Sequence, residues 1–375
     1  MPLRALLVDP SLFTAPYDAG LSEGLSAARV NICWATRRLR DHEEHELDPA
    51  LQRQIFYPVT DRGRRLNSTI WRRFKGFEHI AGLATLLALA RRFDVVHFQW
   101  AMVPYLDAVA TRILQAMSIP VVLTVHDTTS FNGKVMSRWQ TGGTQVMWRS
   151  ADHIIVHTGA SREVVVSAGA DPDRVTVVPH GPIAKPSGAS SRRESGRWRI
   201  ILFGRLQSYK GVDLLIEALG ELDPVVRDQL DVVIAGEPVI DLAPLAARAQ
   251  ALGVSHIVHF EPRYFSSAEM GDLLSSADCF ILPYRAIDAS GVLYLVSQFD
   301  RWIVASDLGA FREEIGDDME AGELVPPGDI SALAAAIRRS IGRRPRRLAR
   351  SGGCTWEEIG ARTRDVYERV VTSRP

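Results

Sequence analysis

Short apolar runs alternate with longer stretches of helical spacing along almost the whole chain. The first run, residues 3–8, predicts a buried strand, and the spacing that follows predicts a helix beginning within residues 20–37. Further strands are predicted at residues 95–98, 120–125, 154–156, 175–178, 199–203, 232–235, 257–260, 279–282 and 303–305. Helices are predicted at residues 79–92, 103–116, 143–149, 161–168, 211–219, 242–252, 267–275, 291–299, 330–340 and 356–370.

This alternation is typical of α/β proteins with parallel, doubly wound sheets, whose functional residues lie at the carboxyl ends of the strands. It is interrupted at residues 185–197, which are mostly Pro, Gly, Ser and Arg and have the composition of a linker. We therefore predict two Rossmann-like domains, residues 1–184 and 199–352, joined by a linker at 185–198. Residues 353–375 hold a final amphipathic helix.

Length and charge narrow the functional classes. A chain of 375 residues is too long for one ordinary core, which favours two domains. Its 44 Lys plus Arg balance 44 Asp plus Glu, so the net charge gives no support for nucleic acid as a partner. Cys33, Cys279 and Cys354 are far apart in sequence, which fits a reducing compartment. No signal peptide or membrane-spanning run is visible, so we expect a cytoplasmic protein.

The most informative segment lies in the second half of the chain. An apolar run ends at Gly204, Arg205 and Lys210 follow on a predicted loop, and a helix begins after Gly211. Two cations at the carboxyl end of a strand can neutralise a diphosphate. An ordinary basic surface loop explains the same residues, and this segment alone does not separate the two interpretations.

A second pattern follows the predicted strand at 279–282. Small residues from Asp288 to Gly291 open a helix, and the free N–H groups of a helix start suit a phosphate. Ser290 could instead be a simple N-cap. Because both segments follow strands of one parallel sheet, they are expected at the same edge, and together they favour a phosphate-binding site.

These motifs resemble the GT-B glycosyltransferases, specifically the large retaining family 4. The resemblance implies two Rossmann-like domains facing a cleft, the first binding the acceptor and the second the nucleotide-sugar donor. It also implies that the last helix crosses back to the first domain. The segments that carry the resemblance are distributed over nearly the whole chain. They are Phe203-Gly204-Arg205 with Lys210-Gly211, Leu282-Pro283 with Ser290-Gly291, and residues 122–127, 177–181, 305–309 and 324–329.

The resemblance assigns roles to individual residues. Arg205 and Lys210 correspond to the pair that binds the donor diphosphate and stabilises the departing nucleoside diphosphate. His126 is expected beside the donor sugar, although a strand-end histidine bonded to the backbone is the alternative. The catalytic set is thus His126, Arg205, Lys210 and Asp288, and the donor-binding set is Gly204, Arg205, Lys210, Arg263, Tyr264, Asp288, Ala289, Ser290, Gly291, Val292 and Leu293.

Two segments depart from the family pattern. The usual Glu-x7-Glu element falls on Asp288 and Val296. Asp288 keeps a carboxylate for a sugar hydroxyl, whereas Val296 cannot bind the ribose as the second Glu normally does. The first loop has Gly20 alone instead of a Gly-Gly pair, and Tyr17 and Asp18 are expected on that loop, bordering the acceptor or capping the next helix.

Arg263 and Tyr264 follow the predicted strand at 257–260, in the loop where relatives of this family hold the base. Backbone atoms usually read the base there, so these side chains do not identify the nucleotide.

The resemblance implies transfer of a sugar from a nucleotide-diphosphate sugar to a hydroxyl of a sugar or lipid-linked sugar, with retention, in polysaccharide or glycoconjugate assembly. No cofactor and no metal are expected, and His153 and His157, which flank a predicted strand, do not form a zinc motif. Two alternatives stay open. One is a sugar-nucleotide epimerase or a phosphorylase of the same fold, and the other is a non-catalytic homologue that binds a glycan or a partner protein, for which Val296 is the main support.

A basic, aromatic stretch runs from Arg62 to Lys75 and includes Trp71 and Phe74. Tryptophan and arginine at helical spacing suit an anionic membrane surface, although a solvated cationic helix face is the more frequent outcome. A patch of this kind can also bind a polyanionic glycan. Because the family often works on lipid-linked acceptors, we expect peripheral contact with the inner face of a membrane.

Overall fold

The computed structural model describes residues 2–40, 46–61, 69–128, 138–183, 185–186, 196–287, 290–346 and 354–373. These residues form two compact units. The first contains the described residues up to Gly181 and the terminal segment that begins at Cys354, and the second contains the described residues that follow Gly181 as far as 346. Residues 187–195, most of the predicted linker, lie outside the described part of the chain.

The first unit is a helix–sheet sandwich. Its strands are β1 (Arg4–Asp9), β2 (Asn31–Arg37), β3 (Gln52–Phe56), β4 (Val95–Phe98), β5 (Val121–Val125), β6 (His153–Val156) and β7 (Val175–Val177). Its first helices are α1 (Ala15–Ala27), α2 (Thr69–Ala90), α3 (Pro104–Ala116), α4 (Arg138–Ser150) and α5 (Gly159–Ser167).

The second unit repeats this plan. Its strands are β8 (Trp198–Phe203), β9 (Leu230–Ala235), β10 (Val258–Glu261), β11 (Cys279–Leu282), β12 (Trp302–Ser306) and β13 (Gly322–Val325). Its helices are α6 (Val212–Glu221), α7 (Pro224–Arg227), α8 (Ala243–Ala251), α9 (Ser267–Ser275), α10 (Gly291–Val296), α11 (Gly309–Ile315) and α12 (Ile330–Ser340). The chain then returns to the first unit with α13 (Trp356–Thr372).

Both sheets are parallel throughout. The strand order is β3-β2-β1-β4-β5-β6-β7 in the first unit and β10-β9-β8-β11-β12-β13 in the second. In each order the direction of winding reverses beside the first strand of the unit, and ligands of doubly wound sheets bind at that reversal. The architecture confirms the predicted fold class, including the return of the last helix.

Each sheet is buried on both faces, which explains why its strands are nearly continuous apolar runs. In β1, Leu6 and Val8 enter one core while Ala5 and Leu7 enter the core on the opposite face. In β8, Ile200 and Leu202 face one core and Ile201 faces the other. Because the apolar side chains occupy both faces, the polar residues at the strand ends are left at the edge of the sheet, where a site can form.

The prediction for residues 20–37 is wrong in its second half. Helix α1 ends at Ala27, and residues 31–37 form strand β2, which lies between β1 and β3. The chain turns after α1 at Arg29, which has a φ of 61°, so the glycine that usually marks a helix end is missing from the sequence. Strand β3 was also not predicted, because three of its five residues are polar and its burial does not alternate regularly.

Helix α11 and strand β13 are further elements that the pattern did not predict, since both are short. Within the described parts of the chain, no helix combines the length and the apolar character needed to cross a bilayer.

Candidate active site

The loop after β8 is held close to the end of β11 by glycine geometry. Gly204 has φ 106° and Gly211 has φ 70°, values that side chains rarely adopt. A Cβ atom on Gly211 would lie 2.0 Å from the carbonyl oxygen of Pro283. The two glycines therefore turn the loop back over the carboxyl edge of the second sheet, where the diphosphate site was predicted.

Lys210 ends a short 3-10 turn in this loop and is buried, with 3% of its surface exposed. Its Nζ donates a hydrogen bond to the Phe203 carbonyl oxygen at 3.3 Å and lies 5.4 Å from the centre of the Tyr284 ring. Lys210 is therefore not the exposed cation of an ordinary surface loop, because the loop folds inward and encloses the side chain.

Burial and the neighbouring Arg205 guanidinium lower the pKa of Lys210 to about 7. In the ligand-free chain this ammonium is therefore only partly charged at neutral pH. A bound diphosphate would favour the charged form, because an opposite charge at short range raises the pKa of an ammonium. The buried lysine is thus suited to a polyanionic ligand.

Arg205 lies on the same loop but is half-exposed. Its Nε is 3.5 Å from Oε2 of Glu237, which is also half-exposed. Ion pairs of this kind stabilise a fold by less than about 1 kcal/mol. The guanidinium can therefore exchange Glu237 for a ligand anion at little cost in stability.

Helix α10 begins beside this loop. A Cβ atom added to Gly204 would lie 2.9 Å from the Val292 side chain and 2.5 Å from Nζ of Lys210. The structure thus brings Gly204, Lys210 and Val292 together, as the two sequence motifs predicted. Gly291 is the first residue of α10, and its N–H and that of Val292 have no partner inside the helix.

The other predicted residues of this segment are placed differently. Ser290 is the N-cap, and its Oγ accepts a hydrogen bond from the Leu293 N–H at 3.1 Å, so the simple capping interpretation is correct for that hydroxyl. The Leu293 side chain is fully buried in the core, and Val296 is buried there as well. Asp288 and Ala289, both predicted for the donor site, lie outside the described residues.

Arg263 follows β10 and is engaged in local contacts. Its Nη1 donates hydrogen bonds to Oε1 of Glu269 at 2.8 Å and to the Tyr264 carbonyl oxygen at 3.2 Å. The guanidinium also lies 4.0 Å above the Phe265 ring. Tyr264 is 55% exposed. These contacts orient the loop, and the predicted roles of both residues toward a nucleobase stay predictions.

In the first unit, three consecutive strands end on a polar side chain. Gln99, His126 and His157 are the first residues after β4, β5 and β6. All three are buried, and His180, which follows β7, is buried beside them. Because parallel strands end at one edge of a sheet, these side chains come together there.

The hydrogen bonds of His126 determine its tautomer. His157 Nδ1 lies 3.0 Å from the Val178 carbonyl oxygen, which only accepts, so this nitrogen carries the proton. Burial lowers the pKa of His157 to about 4, so its Nε2 is a lone-pair acceptor at neutral pH. His126 Nδ1–H donates to that nitrogen at 3.1 Å.

This pattern leaves the lone pair of His126 on Nε2, 3.1 Å from the Gln99 amide atom assigned as Oε1, which is itself an acceptor. The pairing is satisfied when Gln99 presents its NH2 group, since amide orientation follows the hydrogen-bond network. The His126 ring also stacks on Trp100 at 5.2 Å between ring centres. His126 is therefore held rigidly as a neutral hydrogen-bonding group, and burial and the neighbouring histidines lower its pKa well below the usual value.

Tyr17, Asp18 and Gly20 were expected on a loop, and that expectation is wrong. All three lie inside α1, which begins at Ala15, and Thr14 rather than Asp18 occupies the N-cap position. Pro16 in the first turn starts the helix early, because its fixed φ suits that position.

The environment of these three residues is also different from that of a loop. Tyr17 is buried with its ring 4.9 Å from those of His126 and His180. Asp18 is fully buried, and burial together with the Asp9 carboxylate raises its pKa well above the usual value. A Cβ on Gly20 would lie 2.1 Å from the Trp356 indole, so this glycine permits helix packing.

Sequence reasoning missed the buried partners of His126. His157 was considered only as a metal ligand, and Gln99 was not considered. The signal was present, because each follows an apolar run that ends at the same sheet edge. Among the described residues, no group of three His, Cys, Asp or Glu side chains is arranged to hold a metal ion.

Two family models match the chain. Residues 197–342 match the model described as glycosyl transferases group 1, and residues 19–182 match the model described as glycosyltransferase family 4. The matches cover one segment of each unit.

Comparisons with individual proteins agree with the two family models. The chain is 30% identical over 310 residues to the MMP alpha-(1->4)-mannosyltransferase of Mycolicibacterium hassiacum, covering 74% of this chain and 71% of that protein. It is 31% identical over 264 residues to the D-inositol 3-phosphate glycosyltransferase of Kineococcus radiotolerans, covering 62% of this chain and only 60% of that protein. The sucrose-phosphate synthase structure from Thermosynechococcus elongatus superposes with a TM-score of 0.73 at 15% identity, covering 99% and 100% of the two chains.

Proposed function

The chain belongs to the family 4 glycosyltransferases of GT-B fold, and from that premise we propose that it transfers a sugar from a nucleotide-diphosphate sugar to a hydroxyl of its acceptor. The observation that carries this proposal is the convergence of Lys210, Gly204 and Val292 at the carboxyl edge of the second sheet. A buried ammonium beside a helix start is suited to a diphosphate.

In the proposed reaction, Lys210 and Arg205 bind the diphosphate and stabilise its growing charge as the bond to the sugar breaks. A preorganised cation acts most strongly where water is excluded, which describes the enclosed Nζ of Lys210. Arg205 would leave Glu237 to complete the site. Asp288 would bind a sugar hydroxyl.

His126 would contact the donor sugar as a neutral imidazole. Its ring is fixed by His157 and Trp100, so little ordering is needed on binding. Its low pKa argues against a role as a cation.

Retention at the anomeric carbon and activity without a metal ion are part of the proposal. Two protein cations would neutralise the leaving group, a task that a metal performs in other transferases. Product NMR would give the anomeric configuration, and assays in EDTA would test the metal requirement.

For the acceptor, we propose a sugar, sugar phosphate or lipid-linked sugar in polysaccharide or glycoconjugate assembly. One of the two relatives is a D-inositol 3-phosphate glycosyltransferase, which motivates phosphate-bearing acceptors as the first to screen. We also propose peripheral association with the cytoplasmic face of a membrane.

The first experiment is a thermal-shift screen with UDP, GDP, ADP, TDP and CMP, followed by turnover assays with the sugar nucleotide of the best base. A ligand at a hundred times its dissociation constant should add about 2.7 kcal/mol of stability. Lys210→Met should lose the shift, while Arg248→Met, which removes an exposed cation paired with Glu217, should keep it.

The outcomes separate the open alternatives. A shift without transfer or slow donor hydrolysis would favour the non-catalytic homologue, and conversion of the donor sugar to its epimer would favour the epimerase. No shift with any nucleotide would overturn the donor site.

A further inference from the structure

Helix α2 exposes a continuous apolar face. Phe74 is 41% exposed, Phe77 is 70% exposed and Ile80 is 49% exposed. Exposed aromatic side chains that cluster in this way mark interaction surfaces. At about 100° per residue the exposed positions fall within one arc of about 140°. The described members of this arc are Arg73, Phe74, Phe77, Ile80, Ala81, Ala84, Thr85 and Ala88.

The neighbouring helix extends this face. Helix α3 packs beside α2, and its outward side exposes Val109 at 54% and Ile113 at 42%. Arg112 lies between them in sequence and is exposed. The two helices therefore present apolar side chains together on the outside of the first unit.

The exposed charged side chains of these two helices are basic. Arg73 and Arg112 are exposed on this face, and Arg91 and Arg92 are exposed directly after the end of α2. The acidic residues of the described parts of both helices, Glu78 and Asp107, are buried.

Both carboxylates already have partners. Glu78 accepts hydrogen bonds from the Val59 and Thr60 N–H groups, and Asp107 is bonded to His79 and the Val103 N–H. Neither helix therefore exposes a carboxylate against an anionic partner within its described residues.

We propose that this α2–α3 face binds the surface of an anionic phospholipid bilayer. Phe74, Phe77 and Ile80 would enter the boundary between headgroups and acyl chains, and the surrounding guanidinium groups would pair with lipid phosphates. The proposal assigns the membrane association proposed above to particular side chains. It rests on the proposed function in one respect, namely that the face would place the enzyme beside lipid-linked acceptors.

The test is sedimentation of the full chain with sucrose-loaded vesicles of phosphatidylcholine alone or mixed equally with phosphatidylglycerol. Wild type should bind the mixed vesicles more tightly, and added salt should weaken that binding. Phe74→Ser/Phe77→Ser/Ile80→Ser should reduce the partition coefficient by roughly tenfold or more, since three apolar side chains lose their place in the interface. Arg73→Gln/Arg112→Gln should reduce the preference for the anionic lipid, and unchanged preference would contradict the role given to these guanidinium groups.

The matched control is Val225→Ser/Val239→Ser, which removes two similarly exposed apolar side chains, 71% and 52% exposed, from the second unit and should bind like wild type. Absence of vesicle binding by wild type, or equal binding by the triple variant, would overturn the proposal. A triple variant that changes only from dimer to monomer would show instead that the face joins two copies.

Nucleotide thermal shifts on the same proteins keep the two proposals separate. Vesicle binding without any nucleotide shift would contradict the donor site alone. A nucleotide shift without vesicle binding would contradict the membrane face alone.

Discussion

Gly24 of α1 and Gly360 of α13 approach so closely that neither position has room for a methyl group. A Cβ on Gly24 would lie 2.0 Å from the Trp356 carbonyl oxygen, and a Cβ on Gly360 would lie 2.0 Å from the Gly24 carbonyl oxygen. The two backbones are therefore in direct contact. This contact seats the last helix against the helix that carries Tyr17 and Asp18.

Gly24→Ala should destabilise the first unit, because a backbone atom cannot move aside as a flexible side chain can. We expect a loss of about 1–3 kcal/mol, in the range of other overpacked sites. Gly76→Ala is the control, since a Cβ there meets nothing within 4 Å. That helical substitution should stabilise by roughly 0.5–1 kcal/mol. Equal thermal midpoints for the two variants would contradict the close contact.

Nucleotide affinity should fall as the pH rises above 7. Lys210 has a pKa of about 7 in the ligand-free chain, so it must take up a proton to bind a diphosphate at higher pH. Between pH 7.5 and 9 the dissociation constant should rise by up to about tenfold per pH unit. Calorimetric titrations at several pH values measure this dependence. Lys210→Met should bind weakly at every pH, and a pH-independent wild type would exclude the role given to this amine.

Truncation and isosteric replacement of Lys210 should differ in stability. Lys210→Ala should lose about 1–3 kcal/mol, because the buried side chain leaves a void. Lys210→Met fills that space without a charge and should match or exceed the stability of wild type at pH 7.

The sign of the pH dependence gives a second readout for the same variants. The folded pKa of Lys210 lies below the unfolded value, so the unfolded chain binds more protons between pH 7 and 10.5. Wild-type stability should therefore gain from this group as the pH rises through that window. Chemical denaturation at pH 7 and 9 should show a smaller gain for Lys210→Met, and an identical gain would contradict the burial of a titrating amine.

Mild acid should destabilise the first unit through its buried histidines. Burial lowers the pKa of His97 and His180 to about 3, and that of His157 to about 4. Below pH 6.5 the unfolded chain binds protons that the folded chain excludes, so stability falls as the pH falls. Each such group contributes up to about 1.4 kcal/mol per pH unit.

The measurement is the shift in the thermal midpoint of the first unit between pH 7.5 and 5. His180→Asn should reduce that shift, because one excluded proton is removed. His256→Asn, which alters a half-exposed imidazole, should leave it unchanged. The same shift in all three proteins would show that other groups govern the acid response.

Much of the fold follows from local pattern. Helix α12 was predicted at residues 330–340 and is observed at Ile330–Ser340, since Asp329 caps it and its apolar spacing is regular. Strand β2 was not predicted, because it follows a helix without a glycine stop signal. The approach of the Gly204–Lys210 loop to the start of α10 was predicted, whereas the burial of Lys210 was not.

The sequence by itself determined the alternation of strands and helices, the family, and the polar residues that end the strands, because these depend on residue type and short-range spacing. Only the tertiary structure decided how deeply Lys210 is enclosed, which tautomer His126 adopts, and that Tyr17 and Asp18 are buried in a helix. Those properties depend on neighbours distant in sequence, such as Pro283, Val178 and Trp356, whose approach depends on the packing of the sheets and helices as a whole.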